Sequence, residues 1–545
     1  MISNLVDSLV SIFSPVAGLK RVAARKGLEQ IRRSYEGGRI DRTTKPWRVN
    51  PESGESPNIG EIQRIRMRAW DLYRNNVYAR KIVRAIIAQS IGCGLKPESQ
   101  ASNSSGDPDD KFRKRANDLW SLWCANPSRV GRPGQGGLTF QQISAMAFRE
   151  LILSGEIFVH VIKEDSDSGK PIPFSIELIS SERVPDEAVM PGVNNRMENG
   201  NYFWRGIEFD KDGKRVNYYV YETHPQDPRP SGFHLKTKPI PANEIIHLFQ
   251  QERPDQVRGV SWFAPVILHL RDVCDYQENE LIAATVAACV TLVVQRNPGA
   301  PAFGLQGSGD QTDKDGNSIT RMQPGSIFRL NQGETAQGFN PNRPNGNAED
   351  FINHLLRGAA SAMPGLKAST VHGDYRDSSF SSEKSADNDC WREIEQVQEM
   401  LADGLCQPIW ERVIESGVEN GWFDSLDFRS FKPSQFGETK SRYLAASWNG
   451  PVAKSINPTD DETASELAIK TGTSSLPIEC AARGLSWEQV LEDQARVAEK
   501  RKALGLPDPA QLEADALKAK ANPKPSSKGP NGEDASSPRF LARGA

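Results

Sequence analysis

The apolar positions between Asp350 and Gly417 fall into two helical runs with a polar gap between them. The first run, Phe351 to Met363, is closed by Pro364-Gly365. In the second, Trp391, Ile394, Val397, Leu401, Leu405, Ile409 and Val413 recur at spacings of three and four, which sets them on one face of a long helix. The opposite face is acidic: Glu383, Asp387, Asp389, Glu393, Glu395 and Glu399. Ser381 and Ser382 stand where an N-cap is expected, acids near the first turn suit the helix dipole, and Gly417 predicts the stop. The gap contains Gly373 and follows no period. The unit therefore reads as helix, polar loop, long helix.

Upstream, Ile65, Ala69, Leu72, Tyr73, Val77, Ile82, Ala85 and Ile86 predict a helix over 61–90. DKFRKRANDLWSLWCANP predicts another, with Phe112, Leu119 and Trp123 on one side. LTFQQISAMAFRELILSGEIFVHVIKE runs from helix into strand, and IPFSIELISSERV is a further strand. YFWRGIEF and VNYYVYET form a hairpin around a turn at Asp212-Gly213. Residues 61–250 thus read as an α+β domain. A long helix comes next, starting near Ser261 or Trp262. Its second half groups Ala283, Ala284, Ala287 and Ala288, which would let another helix approach closely; on the residues alone an ordinary core helix fits as well.

Residues 295–346 are dominated by Gly, Asn, Asp and Pro, with one short strand expected at SIFRL, and read as a protruding loop-rich module. SLDFRSFKPS predicts a strand and loop. Residues 446–506 hold two short helices, the first capped by Thr459 or Asp460 and the second opened by Ser486 with Glu488 and Gln489. Residues 1–60 read as a basic arm with a short amphipathic helix at NLVDSLVSIF, and 507–545 as a disordered tail.

The chain's 545 residues suffice for several domains. A formal net charge of −3 excludes a simple basic DNA-wrapping protein, although cations outnumber anions from Lys20 to Arg48. The 7 cysteines are odd in number and have no C-x-x-C spacing, which points to reduced structural thiols and a cytoplasmic setting. The longest apolar run, Leu281 to Val294, is too short to span a bilayer, and no signal peptide is expected. No histidine pair has metal-site spacing, and no G-x-S-x-G or nucleotide fingerprint occurs. GRPGQGG lacks the Lys-Ser or Lys-Thr of a phosphate-binding loop. The carboxylates of EDSDSGK and DKDGN sit in turn-like text, and His372 beside Asp374 has no nucleophile in view. No catalytic residue, metal or cofactor is expected.

GDYRDSSFSSEKSAD, at the polar gap, resembles the most distinctive motif of the lambda-type phage portal proteins: an Asp-rich turn, Asn-Tyr-Ser-Ser, a basic residue and then the long helix. Here Ser379-Phe380 stands for the usual Asn-Tyr, and Lys384 lies near the usual Arg. DLYRNNVYARKIVRAIIAQSIGCGLKP resembles the first marked block of that family. HLFQQERPDQVRGVSWFAP resembles its Arg-Pro-x-Gln-x-Arg-Gly segment, and the stretch that opens with SWNGPVAKSINPTDD resembles a further block. The resemblance covers about 61–505 in the expected order.

It implies an α+β portal-type fold assembled as a ring of about twelve subunits. The expected parts are a basic arm (1–60), an α/β wing (61–259), a stem helix (260–294), a clip (295–346), a second stem helix (347–363), a tunnel loop (364–382), a spine helix with wing return (383–445), a helical crown (446–506) and the tail (507–545). Ala283, Ala284, Ala287 and Ala288 become ring-packing positions. In the loop, Lys367, Arg376 and Lys384 would meet DNA phosphates, Ser378, Ser379, Ser381 and Ser382 would offer exchangeable hydrogen bonds, and Phe380 would pack the loop on the long helix. Implied partners are further copies of the chain, double-stranded DNA, the terminase large subunit, major capsid and scaffolding proteins, and tail adaptors, with no membrane. The place of such a protein is the capsid vertex of the virion, and the host cytoplasm during assembly. The alternative is a metal-dependent DNA-processing enzyme such as a nuclease, its carboxylates gathered only by folding.

Overall fold

The computed structural model describes residues 60–296, 334–337, 348–423 and 440–507, apart from short stretches within them. The expected arm and tail, most of the clip, the SIFRL strand and SLDFRSFKPS lie outside the described residues. The chain divides into two compact units, 1–57 with 252–256, and the remainder. In the first, the Gln256 side chain accepts from the Glu252 N–H at 2.9 Å, closing a turn. The second unit holds all the helices and strands named below.

Helices α1 (Ile62–Asn75) and α2 (Val77–Ser90) replace the single helix expected over 61–90. The apolar period continues across the break, but Asn76 leaves the helix with ψ 125°, and its side chain accepts from the N–H groups of Tyr78 and Ala79 at 2.9 Å. The same amide donates to the Leu270 carbonyl at 3.1 Å, so a distant segment holds the break in place. Next come β1 (Lys96–Ser99), α3 (Asp110–Cys124) and α4 (Phe140–Ser154), the last opened by a Thr139/Gln142 capping box.

Strands β2 (Glu156–Lys163), β3 (Phe174–Ile179), β4 (Tyr202–Trp204), β5 (Ile207–Phe209), β6 (Arg215–Tyr221), β7 (Thr237–Pro241) and β8 (Ile245–Phe249) form two antiparallel sheets, ordered β3-β2-β8 and β4-β5-β6-β7. The expected Asp212-Gly213 turn joins β5 and β6. YFWRGIEF, however, is two strands, folded at Arg205-Gly206 where both residues take positive φ. Alternation along β2 explains its nearly unbroken apolar text. Ile157, Val159 and Val161 face the helices, and Phe158 faces a second core with Ile207, Tyr218 and Val220 of the other sheet.

Glu156 opens β2 between those two cores, fully buried. Its Oε1 accepts from Arg66 of α1 at 2.6 Å and from Arg258 at 2.6 Å; its Oε2 meets His247 of β8 at 3.0 Å and the Gly259 N–H at 3.0 Å. Arg258 also donates to the Arg205 carbonyl at 2.7 Å, and Arg205 pairs with Asp186 at 2.5 Å. Backbone makes this meeting possible. Gly155 (φ +88°) and Gly259 approach so closely that a Cβ on Gly259 would lie 2.0 Å from the Gly155 carbonyl oxygen. Burial alone would raise the Glu156 carboxyl, but Arg258 and then Arg66 hold it well below the ordinary carboxylate range. Burial pushes His247 down to about 4, so it is neutral and donates through Nε2.

The remaining helices of the core are α5 (Ile267–Cys289), α6 (Ala348–Ser361), α7 (Ala368–His372), α8 (Phe380–Leu401) and α9 (Gln407–Glu419), with a π turn at Ala402–Cys406 between the last two. Strands β9 (Val293–Arg296) and β10 (Glu334–Gln337) pair after α5. Helix α5 begins later than expected, because Ser261 to Val266 form turns against α4: the Trp262 N–H donates to the Ile152 carbonyl at 3.1 Å. Val397, Leu401, Leu405, Ile409 and Val413 are all buried although they step by four throughout. In an unbroken α-helix four such steps drift by about 160°; the one extra residue of the π turn takes up about 100° of it. Gly417 does not stop this helix, which runs on to Glu419, and is where Leu119 of α3 packs against it.

Strand β11 (Ala446–Asn449), at the start of the expected crown, pairs instead with β1 in the main core, placing Trp448 beside Trp120 at 5.5 Å between rings. Beyond it, three helices rather than two lie among the described residues: α10 (Pro458–Thr471), α11 (Leu476–Ala481) and α12 (Trp487–Ala503).

Glu156→Gln takes from Arg66 and Arg258 their nearest anion in a dry site, leaving the more distant Asp186 at 3.9 and 3.8 Å. The expected loss is about 3–5 kcal/mol in urea denaturation, and wild-type stability would show the network to be dispensable. A second test concerns pH. Unfolded His247 gains a proton near 6.5 and the folded form only near 4, so stability falls as pH drops through that window. Glu150 opposes it: burial and then Glu182 raise its carboxyl from 4.5 to about 7, so its share of stability falls as pH rises from 4.5 to 7. Glu150→Gln should therefore unmask a steeper fall in melting temperature between pH 6.5 and 4.5 than wild type shows.

Candidate functional site

The polar gap between α6 and α8 is only partly a loop. Pro364 to Lys367 runs back along α8, the short α7 comes next, and Gly373 to Ser379 leads into α8. Ser379, not Ser381 or Ser382, is the N-cap, its Oγ accepting from the Ser382 N–H at 3.3 Å. The expected cap misses by two or three residues because Phe380 to Ser382 already belong to the helix.

The first half of the gap is pinned to the acidic face of α8. Lys367 Nζ lies 2.5 Å from Glu383 and 2.6 Å from Asp387, carboxylates one turn apart. The Gly365 N–H donates to Glu393 at 2.6 Å, two turns further on. Gly365 has φ +67° and sits so near Ile394 that a Cβ would fall 2.3 Å from it. Burial would lower the Lys367 pKa, but the hydrogen bonds it donates to Asp387 and Glu383 raise it overall. At 16 % exposure, Lys367 is committed to α8. Val371 of α7 and Leu366 are buried.

The second half is different. Gly373 turns the chain outward with φ +75°. Arg376 is 72 % exposed and bridges Asp374 at 2.6 Å and Glu349 of α6 at 2.5 Å. Hydrogen bonds from Arg376 hold Asp374 well below the ordinary carboxylate range. Tyr375, Ser379, Ser382 and Lys384 are exposed. Ser378, and the side chains of Phe380 and Ser381, lie outside the described residues. The structure thus brings Arg376, Ser379, Ser382 and Lys384 to one exposed end of α8 and sets Lys367 apart as a tether. The tether's signal was present in the sequence, as acids four residues apart just inside a helix.

The first half of α5 is anchored by buried Ile267, Leu270 and Val273. Its second half carries exposed Leu281 (67 %) and Ile282 (53 %), with Ala283 and Ala284 half-buried; the side chains of Ala287 and Ala288 lie outside the described residues. Tyr276 and Phe351 join α5 to α6 with ring centroids 5.0 Å apart. Among the described residues no group of three or more His, Cys, Asp or Glu could hold a metal ion, and no helix is long and apolar enough to cross a membrane.

A sequence model of the family described as "Phage portal protein, lambda family" matches residues 40–398. A protein of Halomonas phage phiHAP-1 named "Probable portal protein" is 24% identical over 484 residues, covering 88% of this chain and 89% of its own. "Portal protein" of Escherichia phage N15 is 20% identical over 504 residues, covering 87% and 91%. "Portal protein B" of Escherichia phage lambda is 20% identical over 502 residues, covering 86% and 89%. Among solved structures, a chain from the virion of a native gene transfer agent particle aligns with a TM-score of 0.41 at 12% identity, covering 84% of this chain and 96% of that one. A chain from the neck of such a particle aligns with a TM-score of 0.40 at 12% identity, with the same coverage.

Lys367→Met strands Glu383 and Asp387 beside each other without a counter-charge. Hydrogen exchange over 364–390 should quicken by the equivalent of about 1–2 kcal/mol with overall helicity unchanged; unchanged protection would show that Lys367 does not hold this segment.

Proposed function

The chain belongs to the lambda family of phage portal proteins, and we propose from that premise that about twelve copies close into a ring at one vertex of a tailed-phage or prophage capsid. It is a structural component of the virion, not an enzyme; family membership displaces the nuclease alternative. The match over 40–398 carries this reading, because it takes in the buried-arginine segment, α5, α6, the gap after it and α8 as far as Gln398.

In this reading residues 61–259 are the wing, 260–294 and 347–363 the stem, 295–346 the clip, 364–382 the tunnel loop, 383–445 the spine and wing return, and 446–506 the crown. The second half of α5 supports a stem: a single chain leaves Leu281 and Ile282 in water beside small alanines, where a neighbouring copy's helix would cover them. Double-stranded DNA would pass through the bore and be held there after packaging. It carries one charge per roughly 1.7 Å of axis, so a bore through which it slides must not grip it. The tether suits that need, since Lys367 is neutralised by α8 and the exposed cations of the loop are reduced to Arg376 and Lys384. The terminase large subunit and then tail adaptors would dock at the clip, and capsid and scaffolding proteins around the wing, during assembly in the host cytoplasm.

Electron microscopy of the purified full chain should show annular particles with a central opening. Monomers that cleave DNA when given Mg²⁺ would overturn the reading. Ala284→Trp should abolish the rings while circular dichroism stays native, because overpacking of roughly 1–3 kcal/mol repeats at every interface; intact rings would remove α5 from the subunit contact.

A further inference from the structure

A cavity of about 670 Å³ opens between the helical core and α12. Its floor is apolar, made by Trp120, Phe140, Leu401 and Leu405, all buried. Its lip is acidic. Glu98 and Asp493 line it, against Lys96 as the one Lys or Arg among the lining residues. Glu488, on the first turn of α12, is pushed up by burial and then by the crowding of Asp110 and Glu98. Helix α12 forms one wall through Gln489, Val490 and Asp493, yet none of its own residues is fully buried. A hollow of this size falls in the range that holds a small ligand or a pair of large side chains.

We propose that this cavity receives the end of the same chain, Arg539-Phe540-Leu541-Ala542-Arg543, with Phe540 and Leu541 on the apolar floor and the two arginines at the acidic lip. Three observations converge on this occupant. The first is chemical. Phe540 is the single aromatic residue beyond Trp487, and it stands next to a leucine between two arginines at the end of an otherwise Pro-, Ala-, Lys- and Ser-rich stretch. The second is charge: a basic–apolar–basic segment complements an acidic lip over an apolar floor. The third is reach. Helix α12 carries the chain about 15 Å from Asp493 to Ala503. Arg539 lies 32 positions beyond Pro507, a separation that corresponds to about 30 Å for an unconstrained chain and is enough for a return. Tethering of that kind gives a short motif a local concentration on the order of millimolar, so a modest fit suffices. The inference concerns one chain and does not rest on the ring.

Cys93 offers the readout, because it lines the cavity and is exposed. Cys406 also lines it, but burial pushes its thiol up to about 12, which slows its reaction. In the full-length protein, Phe540→Ala with Leu541→Ala should speed alkylation of Cys93 at least three-fold, followed by peptide mass spectrometry. Leu541→Cys, under air with a copper catalyst, should form a disulfide to Cys93 within one chain, running at monomer mass and lost when Cys93→Ser is added. An unchanged Cys93 rate together with no crosslink overturns the proposal. A crosslink found only between two chains gives the cavity to a neighbouring copy's tail and overturns the assignment to the same chain.

Discussion

One buried carboxylate sets the terms for the rest of this structure. Glu156 cannot be left alone between two apolar cores, since an ion that dry is tolerated only when its partners are complete. Its partners come from α1, β8 and the segment before α5, and each of those arginines or imidazoles drags its own element into position. The helical layer, the three-stranded sheet and the four-stranded meander therefore meet at a single point, and the entry to α5 is fixed there as well. A purely apolar junction would hold the same layers together with less insistence on one arrangement.

The gap between the long helices divides its labour on a smaller scale. Its first half is ordered by ionic and backbone contacts to α8, and its second half is left to project. A residue's charge alone does not reveal which half it serves. Lys367 and Arg376 are both cations in one polar stretch, but one is folded into the chain's own acidic face and the other stands at the exposed end.

Local patterns made much of this legible. The period of α8 and α9, the helix-to-strand run into β2 and the Asp212-Gly213 hairpin all depend on neighbours within a few residues, and all are present. What escaped depends on distance. Arg66, Glu156 and Arg258 lie scores of residues apart, and each alone reads as surface charge. The break at Asn76 is invisible to periodicity because the stripe runs through it, and its cause is a carbonyl in α5. Strand β11 pairs with β1, nearly 350 residues earlier in the chain, a partner that no pattern within its own four residues could show. The Arg-Pro-x-Gln-x-Arg-Gly resemblance pointed to Arg258 and Gly259 without giving the reason, which is a buried anion and a backbone that must pass within touching distance of Gly155.

The π turn at Ala402–Cys406 bears on how this chain can change in length. Removing one residue there would rotate everything beyond it by about 100° and would set Pro408, which has no N–H to donate, inside a continuous α-helical ladder. Ile409, Trp410 and Val413 would swing off the core together. The extra residue is thus a phase correction between two packed surfaces that were never in step. Insertions and deletions in this helix are limited by the agreement of its two ends.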